Sequence, residues 1–412
     1  MLKLLKIAGR NLLRYKRRTL LTTSLIALGV VFVLVFVSVT SSFKSMMIAQ
    51  NTDSMLGHLQ IHRKGYVASI DSLPLNLNLD TANLERVEPL LNAHPEIETY
   101  SKRIKFGAMF STFVETTSIR LNGIDPEREF ATVPLLPERL LQGEPSLKHG
   151  EIWVPELLAK GMKVEMGDMV VIVATNQDGS VNGRQFRVSG ILASVSGPGG
   201  RDGYLHIEDA AEVLRLPRLE ISEIAIRIHN LADLAPLSAS LNAALKKESG
   251  AQKREIFEIH TWENLSPFFN IARMIDVMTF FMKLMLVAIV LVSIMNVMIM
   301  AVYERIREIG TIAAIGTPPG RILSLFILEG LSLGVIGALL GNAMGLLIIA
   351  ILNRLHITYD FGRQKGLLLQ VGVEPVDIAV ISVIVVGIAV LASLQPAFKA
   401  SRMEPIKALR HV

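Results

Sequence analysis

Few residues in this sequence have types and spacing that could support chemistry. His58 and His62 are four residues apart, which is the spacing that two histidines on a helix use to hold zinc. The alternating polar and apolar residues around them predict a strand instead, on which both imidazoles would face solvent from one side. We therefore expect no metal site at these two histidines.

Two further patterns lose their chemical meaning in context. The segment GLSLG at 330–334 matches the motif around the nucleophilic serine of many hydrolases, but that serine needs a turn between a strand and a helix. Here the serine lies inside a long apolar stretch that predicts a membrane helix. Asp125 and Glu127 flank a proline in a predicted solvated turn, with no nucleophile implied nearby. The sequence therefore predicts no catalytic residue.

No nucleotide site is predicted either. A phosphate-binding P-loop contains the dipeptide Gly-Lys, and this dipeptide occurs nowhere in the sequence. We therefore predict no cofactor in this chain. If ATP drives the protein, a partner ATPase subunit must bind the ATP and Mg²⁺.

The composition divides the chain between lipid and water. Half of the residues are hydrophobic and 19% are charged, below the roughly 25% that is typical of soluble proteins. A membrane helix needs about 20 apolar residues to cross roughly 30 Å of hydrocarbon. Four stretches meet this requirement: 19–41, 276–302, 322–352 and 376–395. The sequence contains no cysteine, which excludes disulfides and cysteine-based zinc sites.

The basic residues indicate how these spans are oriented. Every charged residue of the predicted amphipathic helix 1–18 is basic: Lys3, Lys6, Arg10, Arg14, Lys16, Arg17 and Arg18. The tail 396–412 carries Lys399, Arg402, Lys407 and Arg410 against Glu404 alone. Nucleic acid could attract such clusters, but the adjoining apolar runs favour cytoplasmic flanks of a membrane. We therefore expect cytoplasmic termini, an uncleaved signal anchor as the first span, and no nucleic-acid partner.

The predicted fold is an α-helical membrane protein with four transmembrane helices and a large mixed α+β extracytoplasmic domain between the first and second. That domain covers 42–275. Strand–helix–strand patterns at 57–105 and 222–260 predict one subdomain, with 110–215 inserted as a second. The segment 303–321 would lie in the cytoplasm, and 353–375 would be a short external loop.

The third span combines a charge with a row of glycines. Gly334, Gly337, Gly341 and Gly345 recur at spacings of three and four, which predicts a helix face that packs closely against a neighbour. Glu329 in this span and Lys283 in the second lie near opposite membrane surfaces. We expect each charge to extend toward its own surface rather than to pair with the other, with a role in coupling as the alternative.

Several segments are similar to a known family. YERIREIGTIAAIGTPPGRI at 303–322 and PAFKASRMEPIKALR at 396–410 resemble the FtsX-like permease domain. AGRNLLRYKRRTLL at 8–21 resembles the basic helix before the first span of MacB and of lipoprotein-releasing permeases, and GEIWVPELLAKGMKVEMGDMVVI at 150–172 resembles their periplasmic domain. The sequence thus resembles the MacB/FtsX-like ABC transporter permeases, with the layout of the lipoprotein-releasing (LolC/LolE-type) branch.

The resemblance implies a non-catalytic permease subunit in a bacterial inner membrane. It would form a homodimer, or a heterodimer with a homologous permease, and would bind separate cytoplasmic ABC ATPase subunits. The segment 303–321 would be the coupling helix that docks on the ATPase. The residues implied in this coupling are Glu304, Arg307, Glu308, Gly310, Ala313 and Gly316.

The resemblance also implies a path for an amphipathic substrate such as a lipoprotein, whose acyl chains would lie between the first and second spans of the two subunits. The outer halves of these spans supply Val33, Phe36, Val37, Phe280, Phe281, Leu284 and Met285. The alternative is that these side chains contact bulk lipid or neighbouring helices.

Two other functions are compatible with the resemblance. One is mechanical export of a peptide or glycolipid with an adaptor, as in MacB, and the other is FtsX-like regulation of cell-wall hydrolases. Some releasing subunits recruit a periplasmic carrier through a long hairpin. The matching stretch here, 175–186, is short and polar, which argues against carrier docking on this chain.

Overall fold

The chain divides into two compact units. The computed structural model describes residues 7–11, 14–194, 202–248, 256–361 and 364–404. The membrane unit comprises Met1–Ser45, Ala272–Thr358 and Leu368–Val412. The globular unit comprises Met46–Ile271 and Tyr359–Leu367.

The α-helices and strands have the following bounds. The helices are α1 (Lys16–Asn51), α2 (Thr81–Asn92), α3 (Pro126–Thr132), α4 (Leu135–Glu138), α5 (Glu156–Met162), α6 (Ile207–Val213), α7 (Leu234–Glu248), α8 (Trp262–Leu265), α9 (Phe269–Glu304), α10 (Ile306–Ala314), α11 (Pro319–Arg354) and α12 (Pro375–Ser401). The strands are β1 (Leu59–Arg63), β2 (Ile97–Ser111), β3 (Thr116–Ile124), β4 (Leu140–Gly143), β5 (Glu151–Pro155), β6 (Met169–Thr175), β7 (Val181–Leu192), β8 (Asp202–His206), β9 (Glu223–Ile228), β10 (Phe257–Thr261), β11 (Thr358–Phe361) and β12 (Gln364–Leu368).

Among the residues that the structure describes, four helices are long and apolar enough to cross a membrane: α1, α9, α11 and α12. The four predicted spans are therefore confirmed. Each helix continues past its predicted apolar stretch; α1 has 36 residues, which makes it about 54 Å long. Helical hydrogen bonds satisfy the backbone on both sides of a membrane boundary, so the loss of apolar side chains does not by itself end a helix.

The glycines of α11 let it pack closely against two helices in succession. A Cβ atom on Gly334 would lie 2.5 Å from Ala389 Cβ on α12. A Cβ atom on Gly341 would lie 2.6 Å from Val30 Cβ on α1. Gly337 and Gly345 likewise face α1. The predicted close packing is thus present, with α12 and then α1 as the partners along one stripe.

Polar side chains add specific links inside the membrane unit. Asn342 Nδ2 on α11 donates to Ser382 Oγ on α12 at 2.8 Å. Lys283 Nζ on α9 lies 3.6 Å from Asp377 Oδ1 at the start of α12. Lys283 and Glu329 do not pair with each other, as expected, but Lys283 has an acidic partner rather than water alone. The predicted external loop 353–375 also differs, since it contains the two-stranded sheet β11–β12.

One ten-stranded sheet organises the globular unit, with the path β10-β1-β9-β2-β3-β8-β5-β7-β4 and with β6 paired to β2 and β7. As predicted, 57–105 and 222–260 lie side by side, because β1 pairs with β9 and β10 and β2 pairs with β9. The sheet continues through β3 and β8 into the predicted inserted segment 110–215 without a break. The short polar stretch 175–186 contains the turn of the antiparallel hairpin β6–β7.

The expected solvent exposure of His58 and His62 is wrong, because both side chains are buried. Strand β1 lies between β9 and β10, and both of its faces are covered. His58 Nδ1 accepts a hydrogen bond from the Ile228 backbone N–H at 3.0 Å. His62 Nε2 lies 3.5 Å from Glu223 Oε2. Asp125 behaves as a helix cap, since its side chain accepts from the Glu127 backbone at the start of α3.

A buried charged cluster crosses the sheet at β2. Arg103 donates to Glu129 on α3 at 3.0 Å and to Glu223 on β9 at 2.9 Å. Lys105 Nζ lies 2.9 Å from Glu223 Oε1. Burial alone would raise the pKa of Glu223, but Lys105, His62 and Arg103 outweigh it and hold the pKa well below its usual range. The sheet is thereby tied to α3 by paired rather than isolated charges.

We expect Gly341→Val to destabilise the membrane unit by about 1–3 kcal/mol, because the added side chain would collide with Val30 on α1. Gly387→Val on α12 is the matched control, since a Cβ atom there meets no heavy atom within 4 Å. Thermal unfolding of both variants in detergent measures the difference. Equal melting temperatures would contradict the close packing of α11 against α1.

Candidate functional site

A network of charged side chains occupies one end of the membrane unit. We call this end, comprising the described residues within 7–18 together with 303–321, the basic end. At its centre, Glu329 of α11 is buried. Its Oε1 atom accepts from Arg305 Nη1 at 2.8 Å and from Asn11 Nδ2 at 2.7 Å. One buried carboxylate therefore joins three segments that are distant in sequence.

Arg305 lies at the break between α9 and α10. Its backbone φ of −111° and ψ of 20° depart from helical values, which ends one helix and begins the next. The side chain is 4% exposed, and its guanidinium carbon lies 4.6 Å from the centre of the Tyr15 ring. An aromatic face attracts a cation most strongly when both are shielded from water. Tyr15 therefore covers the face of the buried ion pair.

Two further ion pairs, both more exposed than the pair of Arg305 and Glu329, lie near this centre. Arg18 Nη1 lies 2.7 Å from Glu304 Oε2, and Arg14 Nη1 lies 3.3 Å from Glu308 Oε1. Exposed pairs of this kind contribute at most about 1 kcal/mol each and weaken with salt. Both pairs nevertheless join the same two segments, because each links an arginine before the first span to a glutamate near the start of the 303–321 segment.

The expected extension of Glu329 toward the membrane surface is wrong. Glu329 is neutralised inside the protein, because Arg305 and Asn11 satisfy it there. Sequence reasoning assigned no partner role to Arg305, Asn11 or Tyr15. The available signal was a carboxylate in an apolar span, which requires a cation, together with an arginine just inside the basic end.

The predicted coupling residues are divided between exposed and buried positions of the 303–321 segment, with Glu304, Arg307, Glu308 and Gly316 exposed. Ile309 and Gly310 are buried, and Ala313 packs against the core of the membrane unit. Glu304 and Glu308 pair with the N-terminal segment. The exposed side chains of α10 and of Ile315, the residue after it, are Arg307, Glu308, Thr311, Ile312, Ala314 and Ile315. The small residues therefore fit α10 to its own protomer, and two exposed isoleucines that sequence reasoning missed lie on its free face.

Gly316 has a backbone role. Its φ is +95°, a left-handed value that favours glycine. Gly316 N–H donates to the Ala313 carbonyl at 3.0 Å, and Thr317 N–H donates to the Ile312 carbonyl at 3.2 Å. This is the Schellman pattern that ends a helix. A substitution at Gly316 would strain this turn whether or not a partner docks there.

The predicted substrate surface on α1 and α9 is only partly available. Val33 and Val37 are buried in the core of the membrane unit, so they do not face outward, and Phe36 is half-buried. The exposed part is a group that we call the apolar surface: Phe32, Phe36, Phe280, Phe281, Leu284 and Met285.

The members of the apolar surface lie at similar depth on two antiparallel neighbours. A Cβ atom on Gly29 of α1 would lie 3.1 Å from Leu286 Cδ1 of α9. Further along, Lys44 Nζ of α1 lies 2.6 Å from Asp276 Oδ1 of α9. Phe32 and Phe36 stack with ring centroids 6.4 Å apart between these two contacts. Aromatic and methionine side chains are therefore concentrated in the halves of α1 and α9 that lie away from the basic end.

Together these features define a polytopic membrane protein with a mixed α/β domain between its first and second spans and a short charged helix between its second and third. Two family models match: the FtsX-like permease C-terminal domain over residues 280–405, and the MacB-like periplasmic core domain over residues 19–244. The second match alone covers more than half of the chain. The chain belongs to the MacB/FtsX family of ABC transporter permeases.

The chain is similar to individual proteins over different extents. The chain is 24% identical over 432 aligned residues to the lipoprotein-releasing system transmembrane protein LolC of Neisseria meningitidis serogroup B, covering 98% of each chain. It is 33% identical over 152 residues to the macrolide export ATP-binding/permease protein MacB of Neisseria gonorrhoeae, covering 34% of this chain and 21% of that protein. The crystal structure of the periplasmic region of MacB from Actinobacillus actinomycetemcomitans aligns with a TM-score of 0.37 at 15% identity, over 52% of this chain and 94% of that one.

We expect Glu329→Gln to destabilise the protein by about 3–5 kcal/mol, because Arg305 would remain buried without a counter-charge. Arg305→Gln should cost a similar amount. The double variant Glu329→Gln/Arg305→Gln should recover part of the loss, because no unpaired charge remains. Melting temperatures in detergent, compared as a double-mutant cycle, measure this coupling.

The control for this cycle is Glu308→Gln, which removes only the exposed pair with Arg14. Its effect should not exceed about 1 kcal/mol. If the double variant lost as much stability as the two single variants combined, the two residues would not act as a pair.

Proposed function

We propose that this chain is the permease subunit of a transporter that releases lipoproteins from the outer leaflet of a bacterial inner membrane. Its termini would face the cytoplasm and its globular unit the periplasm. The apolar surface of α1 and α9 carries this proposal. The full-length similarity to a LolC protein supports it, because that relative has the same extent as this chain.

The chemistry of the apolar surface suits an acyl chain. Burying a methylene away from water is worth about 0.8 kcal/mol. Moving an acyl chain out of the bilayer therefore costs no free energy only if each methylene enters an equally apolar environment. Phe281, Leu284 and Met285 lie at i, i+3 and i+4, so they share one face of α9. A flexible methionine beside rigid aromatic rings can adapt to chains of different length.

A dimer would turn this surface into a cleft. In one protomer the surface is open on one side, because Phe280 and Phe281 are exposed. A second copy, or a homologous permease, would close it from the other side. The buried Val33 and Val37 would then support the cleft from within each protomer rather than touch the substrate.

Energy for release would come from a separate ATPase that holds ATP and Mg²⁺, since the sequence has no P-loop. We place the docking face on the outward side of α10, where the exposed Ile312 and Ile315 follow the exposed Arg307 and Glu308. A push on α10 would reach α11 and the N-terminal segment through Arg305 and Glu329. The spans α1 and α9, which precede and follow the globular unit in sequence, would carry the motion onward.

A second candidate is export of a peptide or glycolipid. The 33% identity over 152 residues to a macrolide export protein favours it. In that case the globular unit would meet an adaptor, and the apolar surface would contact only membrane lipid.

Docking predicts that Ile315→Asp abolishes stimulation of the ATPase. Ile315 is 81% exposed, so the variant should fold, but a carboxylate buried against the ATPase would weaken docking by at least about tenfold. Lys399→Asp is the control, because it places an acid on an exposed position of α12 at the same end of the membrane unit. The measurement is ATP hydrolysis by the native ATPase with each variant in nanodiscs. Unchanged stimulation by Ile315→Asp would contradict docking on this face.

Photocrosslinking tests the substrate. A photoreactive residue at Phe36 or Phe281, in cells that make labelled lipoproteins, should form crosslinks to lipoprotein when an ATPase-deficient partner traps the loaded state. Leu347 on α11 is the control position, since it is exposed but outside the apolar surface. Crosslinks to phospholipid alone from all three positions would reject lipoprotein release and favour export.

A further inference from the structure

A cluster of two histidines and a glutamate lies in the globular unit. The sheet brings it together: β5 pairs antiparallel with β8, placing Ile152 opposite Leu205 and Trp153 opposite Tyr204. His149 precedes β5 by two residues, and His206 is the last residue of β8. Glu208 follows in the first turn of α6. The loop before β5 therefore meets the junction of β8 and α6.

The three side chains converge with the spacing of a metal site. One ligand atom from each of His149, His206 and Glu208 lies within 4.8 Å of the other two. His149 Nε2 is 3.2 Å from Glu208 Oε2, and the two imidazole centroids are 3.9 Å apart. Tetrahedral zinc with bonds of about 2.0–2.1 Å holds its ligands roughly 3.3 Å apart. Small rotations of these partly exposed side chains would reach that geometry.

A buried carboxylate anchors the cluster from below. Asp209 is 1% exposed, and its Oδ2 accepts from the Gly150 backbone N–H at 2.8 Å. Its Oδ1 lies 3.7 Å from His149 Nδ1. A carboxylate behind the far nitrogen of a histidine biases the proton toward that nitrogen and leaves the other free to bind metal. Asp209 lies on the Nδ1 side of His149, and the opposite nitrogen, Nε2, faces Glu208.

The surrounding charges suit a divalent cation. Arg184 Nη1 lies 2.9 Å from Asp209 Oδ1 and also contacts Glu212, so it already neutralises the anchoring carboxylate. Glu208 remains as the anionic ligand. His206 Nδ1 accepts only a long hydrogen bond of 3.4 Å from the Glu208 backbone.

We propose that His149, His206 and Glu208 bind one Zn²⁺ ion, with water or another ligand at the fourth position. Two imidazoles and one carboxylate form a zinc-binding set, whereas Ca²⁺ and Mg²⁺ prefer oxygen ligands alone. The ion would clamp the loop before β5 onto the start of α6. No local spacing reveals this site, because His149 and His206 come from segments far apart in sequence.

Equilibrium binding of Zn²⁺ to the full chain tests the proposal. The protein is purified in detergent without a histidine tag and stripped with a chelator, and Zn²⁺ is titrated against a chromophoric zinc indicator. We expect one saturable site per chain. His149→Asn, His206→Asn and Glu208→Gln should each weaken binding tenfold or more. Co²⁺ should give the strong visible bands of a four-coordinate site, and these bands should be lost in His149→Asn.

His229→Asn is the matched control, because His229 is exposed in the same unit but outside the cluster, and it should leave zinc affinity unchanged. The melting temperature of each variant without metal shows that it is folded; His149 and Glu208 are exposed enough for substitution to be tolerated. Absence of saturable binding in the original chain, or equal affinity in His149→Asn, Glu208→Gln and His229→Asn, would overturn the site.

Discussion

The ion pair between Arg305 and Glu329 is the interaction around which the basic end of the membrane unit is organised. A carboxylate inside an apolar span is costly unless a cation and hydrogen-bond donors satisfy it there. Arg305 can do so only because the chain breaks from helical geometry between α9 and α10. The same requirement draws in Asn11 and the Tyr15 ring, so one buried charge determines where three segments meet.

Close packing complements this polar centre. Lipid is as apolar as leucine, so membrane helices gain little from burying apolar side chains against each other. The glycines of α11 instead bring backbones close enough for many weak dispersion contacts, first with α12 and then with α1. α11 thus holds both the buried charge and the tightest contacts. A displacement of α10 would reach this rigid helix through Arg305, which is why we place the docking face and the ion pair in one mechanism.

The globular unit also contains buried charges that are paired inside the protein. Arg103 on β2 joins Glu129 on α3 to Glu223 on β9, with each charge paired inside the protein. Near its surface, Asp209 is held by Arg184 and Gly150 and supports the histidine cluster. In each case an acid and a base from different elements meet where the sheet register or a helix break brings them together. Strand pairing therefore decides which charges become structural and which are free to bind a ligand.

Local patterns along the chain were enough to predict its layout. Runs of apolar residues are local, so they predicted the four long apolar helices, and the alternation of polar and apolar residues around His58 and His62 predicted strand β1. The short helix after α9 was equally visible, because YERIREIGTIAAI is followed by a glycine–proline stop. Motifs in these local segments were also sufficient to suggest the family to which the chain belongs.

Which side chains meet could not be predicted from local patterns, because it depends on the packing of the whole chain. His58 and His62 have a simple strand pattern, yet neighbouring strands and the layers above them bury both. Val33 and Phe36 look alike along α1, but helix packing turns one into the core and leaves the other half-buried. Glu329 in an apolar span called for a cation, but the break between α9 and α10 is what makes Arg305 that cation. These outcomes depend on residues distant in sequence, whose approach is set by packing and strand register rather than by any local pattern.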